Sequence, residues 1–309
     1  MLLLTPLFWA ADGGLCAAPI TAQCDANGVA SAAHDPHLKF AEGGVADFRG
    51  KNGTFYALLS APGVHFAAMT VNTAFLLPNG PVLVEGSFFS EVAWVLRGAS
   101  GTAYGVRAVA DVLGFDVFKL GPALLLPWAV PKLVAIKRDV WQEWKEDRLR
   151  VYLKQSTIFV RANGWEVNCT RNPIYLHVAG SSRWRFDIAV RMLDGSTGFE
   201  ALHGKVSEAC VAHGVIGQSF DGDGVAVDGH TDSYVPTDPF HPVIQTRAQA
   251  EGAIEGAAED YALRGPWDAA FKFGRFSATD AEACTGRNVS LLKGKKTVRA
   301  RGSRVALTA

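Results

Sequence analysis

With 309 residues, 49% of them hydrophobic and 19% charged, the chain has enough apolar side chains to bury a core and too many to stay disordered. Lys+Arg and Asp+Glu are equal at 30 each, so no global field draws the chain to nucleic acid or to an anionic membrane. Gly (32) and Phe (18) are frequent, which favours many short strands with tight turns over long helices.

The chain opens on an apolar run, Met1 to Ala11, followed by the small residues Cys16-Ala17-Ala18. This pattern predicts a signal peptide over 1–18 and places the mature protein outside the cell or on its surface. The first basic residue is Lys39, so the usual positive start is missing; the alternative is an intracellular protein with a buried N-terminal segment. Three sequons, at Asn52, Asn168 and Asn288, are in keeping with an exported glycoprotein. Cleavage after Ala18 would leave Cys24, Cys169, Cys210 and Cys284, which allow three disulfide pairings that spacing does not choose between. No Cys-x-x-Cys occurs, which argues against a zinc knuckle.

Strand-type runs dominate from about residue 38 to 215. Thr54–Ser60 and Val64–Val71 flank the turn pair Pro62-Gly63. Val82–Leu96 is a long run broken by Gly86, and Thr157–Ala162, Ile174–Ala179 and Trp184–Leu193 are further strands. The last of these partly alternates apolar and polar positions, so one face meets a core and the other meets solvent. The apolar stretch Leu120–Ile136 contains Pro122, Pro127, Pro131 and Lys132. A bilayer span needs about 20 apolar residues with every backbone group satisfied. The stretch is therefore read as a proline-punctuated buried or partner-facing segment, and no transmembrane span is expected.

Two helices are predicted. One is Val140–Leu149, with Trp141 and Trp144 on one side. The other is Arg247–Leu263, with Ala250, Ile254, Ala257, Ala258 and Tyr261 at helical spacing, Thr246 as cap and Gly265-Pro266 as stop. Thr237–Pro242 reads as a linker, and Lys295–Arg301 and Arg304–Thr308 as terminal strands. The expected architecture is mainly β: an antiparallel β-sandwich with one or two short helices over residues 19–236. Residues 237–309 complete that module or are appended to it.

Two patches carry a family resemblance. The first is His34-Asp35-Pro36-His37-Leu38-Lys39-Phe40, followed by Phe48-Arg49-Gly50 and Phe55-Tyr56-Ala57-Leu58-Leu59. It resembles the opening of von Willebrand factor type D modules and is similar to the plant root-cap family. The second, His213-Gly214-Val215-Ile216-Gly217-Gln218-Ser219-Phe220-Asp221-Gly222-Asp223, resembles the closing element of type D modules. Its wording is similar also to the C-terminal region of inter-alpha-trypsin inhibitor heavy chains. Order and separation match one module of roughly Ala33 to Tyr234. Ala33, Ile216 and Gln218 stand where type D modules have Gly, Cys and Asn, so the family's disulfide framework does not carry over. The resemblance implies an extracellular sandwich used for structure and adhesion.

The clearest chemical cluster is the acidic run from Asp221 to Asp232. Calcium takes six to eight hard oxygens in a flexible cage, and the interspersed glycines let a chain wrap around an ion. Asp221, Asp223, Asp228 and Asp232 are the candidate calcium ligands, and the resemblance allows Asp35 to join them. Val225 and Asp232 fall where an EF-hand needs a ligand and a Glu, so the run is not an EF-hand; a solvated turn is the competing reading. There is no Gly-x-Ser-x-Gly elbow and no His-Glu-x-x-His. The run Gly294-Lys295-Lys296-Thr297 lacks the first Gly of a phosphate loop, and Gly222-x-Gly224 fails as a dinucleotide fingerprint at Val227. The expectation is a non-catalytic module with an extracellular protein or glycan as partner. The alternatives are a glycan-acting enzyme whose carboxylates converge only in the fold, and a module that binds a partner through 120–136.

Overall fold

The computed structural model describes residues 28–77, 82–120, 132–134, 143–174, 183–193, 212–221, 224–236, 238, 240 and 242–277. Sixteen strands among them join in one sheet, antiparallel at every pairing but one. Helical structure among the described residues amounts to two four-residue 3-10 turns, Gly217–Phe220 and Ala258–Tyr261.

The apolar runs in the first part of the chain form β4 (Thr54–Ala61), β5 (Val64–Leu76) and β6 (Leu83–Arg97). They continue into β7 (Ala103–Val109), β8 (Val112–Leu120) and the short β9 (Lys132–Val134). Pro62-Gly63 makes the β4–β5 turn, with Gly63 at φ +71°, a region that favours glycine. β4 is buried at nearly every position because both of its faces are covered. One face carries Phe66 and Trp94 into the main core. The other is a floor of small residues, Ala57, Ala67 and Ala93, beneath Leu263, Trp267 and Phe271. A Cβ on Gly105 would come within 2.6 Å of the Trp267 ring, so that strand has room for the indole only because residue 105 has no side chain.

The second part of the chain forms a meander: β10 (Glu143–Glu146), β11 (Leu149–Lys154), β12 (Thr157–Ala162), β13 (Trp165–Pro173) and β14 (Trp184–Met192). In β11, β12 and most of β14, buried residues alternate with half-exposed or exposed ones. This is the mark of a sheet with one face on a core. β1 (Val29–Ala33) pairs with β14, β2 (His37–Lys39) with β1, and β3 (Val45–Asp47) with β2. The meander joins the first half of the sheet through a single bridge, Phe186 to Phe89. Inner side chains of both halves share one core. Trp144 meets Tyr104 at 5.1 Å and Trp165 meets Phe220 at 5.0 Å. Asn163 Nδ2 ties the β12–β13 turn to the carbonyls of Gly63 and Arg97 at 2.9 and 3.1 Å. These contacts are consistent with two sheet layers around one core.

Neither predicted helix forms. Glu143–Glu146 and Leu149–Lys154 are instead a hairpin whose turn residues, Asp147 and Arg148, both have positive φ (53° and 62°). Two left-handed residues in succession match the twist of paired strands. Trp144 still packs inward, but as a strand residue. The segment from Arg247 to Leu263 holds a turn, the 3-10 turn at Ala258–Tyr261 and β16 (Ala262–Leu263), which pairs with β4. Ala250, Ile254, Ala258 and Tyr261 are buried as helical spacing predicts and Ala257 is exposed, yet Ala250, Gly252 and Gly256 have positive φ, which an α-helix does not tolerate. Just before this segment, β15 (Val243–Gln245) runs parallel to β6. Residues 243–263 therefore complete the sheet.

The sequon residue Asn168 lies mid-strand on β13 with its amide donating to Glu166, whereas Asn52 is exposed in a turn. Cys169 is free and fully buried, where burial pushes its thiol up. Residues 1–18, the other cysteines, residues 121–131 of the apolar stretch, Asn288, Asp223 and the terminal strands lie outside the described residues. No helix among the described residues is long and apolar enough to cross a membrane.

Candidate functional site

The first patch and the acidic run that ends at Asp232 meet at the outer edge of β1–β2–β3. Asp35 sits in the turn between β1 and β2, and His34 before it takes a positive φ of 61°. The Asp35 side chain leaves solvent and packs against β6. Its Oδ1 accepts the Ser87 amide at 2.7 Å, and its Oδ2 accepts the Tyr234 hydroxyl at 3.1 Å. Gly86 makes this approach feasible, since a Cβ there would lie 2.3 Å from Oδ2. The glycine that looked like a break in a long strand is the space for a buried carboxyl. Burial pushes Asp35 up to about 6, and the bonds from Ser87 and Tyr234 pull against that rise. Tyr234 is pushed up in turn, first by burial and then by the charge of Asp35.

Next to it, His37 Nδ1 lies 2.6 Å from Asp47 Oδ1. The Asp47 bond raises the imidazole above its ordinary value against the effect of burial. Asp47 Oδ2 accepts the Asp232 amide at 2.7 Å. The Asp232 carboxylate accepts the amides of Arg247 (2.8 Å) and Ala248 (3.2 and 3.1 Å). Asp228 Oδ1 accepts the Val45 amide at 3.0 Å, while Gly229 donates to the Val45 carbonyl and Asp47 donates to that of His230. Residues 228–234 thus lie along β3 like an irregular extra strand, held by carboxylates at each end.

Of the five candidate ligands, Asp35 and Asp232 belong to this cluster, and Asp228 fastens the same loop further along β3. Asp221 is exposed just after the 3-10 turn at Gly217–Phe220, and Asp223 lies outside the described residues. No group of three or more His, Cys, Asp or Glu among the described residues is placed to hold a metal ion. An ion at Asp35, Asp228 or Asp232 would share carboxylates that already accept backbone amides of the chain. Sequence reading missed Asp47, Tyr234 and Ser87 as members of the cluster. A usable signal was present in Asp47, a carboxylate between Ala46 and Phe48, both buried.

The second patch is equally structural. His213 forms a backbone bridge to Ser60, and the amides of Val215 and Ile216 donate to Ala57 and Leu58. Gly214 approaches the Leu58 carbonyl so closely that a Cβ would lie 2.5 Å from it. Gln218 donates to the Gly214 carbonyl and accepts the Glu255 amide at 2.9 Å each, which ties this patch to the segment after β15. A scan against protein-family models finds no match to this chain, and no curated protein matches it.

Proposed function

We propose that the chain is a non-catalytic structural or adhesive module that works outside the cell, as its resemblance to type D modules implies. The observation that supports this reading is the use made of its carboxylates. Asp35, Asp47, Asp228 and Asp232 fix backbone amides of the folded chain. A glycosidase needs instead two carboxyl groups about 5 to 9.5 Å apart on either side of an open bond-cleaving position. In this cluster the carboxyls serve as clips that hold residues 228–234 and 247–248 to β3 and β6.

Expression of the full chain in a eukaryotic secretory host tests the reading. The expected result is protein in the medium, without release of sugar from a panel of glycans. Retention in the cytosol, or turnover of a glycan abolished by Asp35→Asn, would overturn it. Melting curves in calcium and in chelator test the ion separately. With the described carboxylates bound to amides, the curves are expected to coincide; a rise in Tm with calcium, lost in Asp221→Asn/Asp223→Asn, would place a calcium site at that end of the loop.

A further inference from the structure

The outer face of β10–β14 has no counterpart in the clip. Register places Lys145, Arg150, Arg161, Glu166 and Arg191 side by side in one row across the five strands. Glu166 is almost fully buried beneath the arginines, with Arg161 and Arg191 both bonded to it. Lys154 extends the basic character beside this row, and Arg185 on β14, buried and bonded to Asp187, is a sixth cation. Three carboxylates on the same face, Glu143, Glu166 and Asp187, leave it three charges positive. The chain as a whole is neutral, so this excess is local to the face. Lys145 and Lys154 are exposed, and neither forms an ion pair among the described residues. Beside the row, the Tyr152 and Phe159 rings stack at 4.7 Å, both half-buried, with the Arg150 guanidinium 4.6 Å from the Tyr152 centroid.

We infer that this face docks a linear, carboxylate-bearing polysaccharide, a polyuronate lying across the strands. The inference rests on the adhesive reading and names its partner. Charge complementarity sets the sign of the ligand. The row sets its repeat: Lys145, Arg150 and Arg161 on the neighbouring strands β10, β11 and β12 stand about 4.8 Å apart, close to one sugar per strand along an extended glycan, and Arg191 follows beyond Glu166. An acidic peptide fits less well. Its same-side residues recur at about 6.8 Å, and a sheet face offers it no backbone groups to pair with, since peptides add to sheet edges. Guanidinium groups match carboxylates in a planar, two-point fashion, and the aromatic pair offers an apolar wall to sugar C–H groups.

The test is binding of the full chain to immobilised oligogalacturonate in the presence of chelator, so that calcium bridging between chains cannot mimic it. The expected result is binding that weakens steadily with salt. The double variant Lys145→Gln/Lys154→Gln removes two exposed, unpaired charges and should leave the melting temperature unchanged. It should weaken binding about fivefold to tenfold, the effect of losing two surface contacts worth under 1 kcal/mol each. No binding, or unchanged binding by the double variant, overturns the inference. Tighter binding of dextran sulfate assigns the face to sulfated chains, and tighter binding of polyglutamate assigns it to acidic protein; either result overturns the uronate assignment. A secreted, catalytically silent protein that ignores oligogalacturonate would remove this partner and leave the module reading intact.

Discussion

The two halves of the sheet solve burial in different ways. β4 and the adjoining stretches of β5 and β6 are covered on both sides, by the common core and by residues 262–277, and β4 is an almost unbroken buried run. Among the described residues β10–β14 is covered on one side, and β11 and β12 keep a strict alternation. The covered half tolerates polar groups only where they are neutral or paired. His65 is fully buried in β5 beside Phe271, with no hydrogen-bond partner for either ring nitrogen among the described residues. The open half stacks its charges outward, where water and counter-ions can stabilise them. The difference teaches that a long buried strand marks a face that something else in the chain must cover.

Acid should break the covered half first and with the largest effect. Burial lowers His65 from 6.5 to about 4, opposed only by Asp268. The unfolded chain therefore takes up the proton before the folded one does. The contribution of the neutral ring is complete above pH 6.5 and is lost as pH falls to about 4. A difference of that size corresponds to about 3 kcal/mol. Urea melts at stepped pH should show this loss in the wild type and a flatter profile in His65→Leu. An equal slope in both proteins would remove His65 as the cause.

A matched pair of substitutions sharpens the contrast. Gly105→Val drives a side chain into Trp267 and should cost about 2 kcal/mol as overpacking, with faster proteolysis within 262–277. Ala189→Val, on the open face of β14, adds a β-branched residue to a half-exposed strand position and should stay within about 0.5 kcal/mol. Comparable losses at the two sites would mean that the outer face of β14 is covered after all.

Glu166→Gln should have a smaller effect than acid at His65 or the Gly105→Val substitution. Burial is the strongest single influence on Glu166 and pushes it up, but Arg161 and Arg191 together outweigh it and leave the carboxyl below its usual value. Its stabilisation is present above pH 4.5 and is lost as pH falls through the lowered folded value. Because Arg191 is 47% exposed and can be rehydrated, the substitution should cost about 1 kcal/mol at neutral pH. The variant should also lose part of the acid sensitivity below the His65 range. A loss of several kcal/mol at neutral pH would show that this ion-pair row is a core element.

Much of the strand content was legible in the chain itself. Thr157–Ala162 matches β12 residue for residue, and Pro62-Gly63 marks the β4–β5 turn, because alternation and turn chemistry are local properties. The site was legible only in part. Asp35 and Asp232 do come into one cluster, but Ser87, Asp47 and Tyr234 join it from distant positions that no spacing rule connects.

What the sequence determined alone was the mainly β class and the partly alternating inward pattern of β14, since both follow from side-chain periodicity. Tertiary structure decided how backbone groups were paired. Residues 247–263 have the apolar spacing of a helix, yet the Arg247 and Ala248 amides go to Asp232, the Ala250 amide goes to the Asp47 carbonyl, and Ala262 and Leu263 pair with β4. Spacing fixes which side chains are buried. The partners that the rest of the fold offers to the main chain decide the conformation in which they are buried.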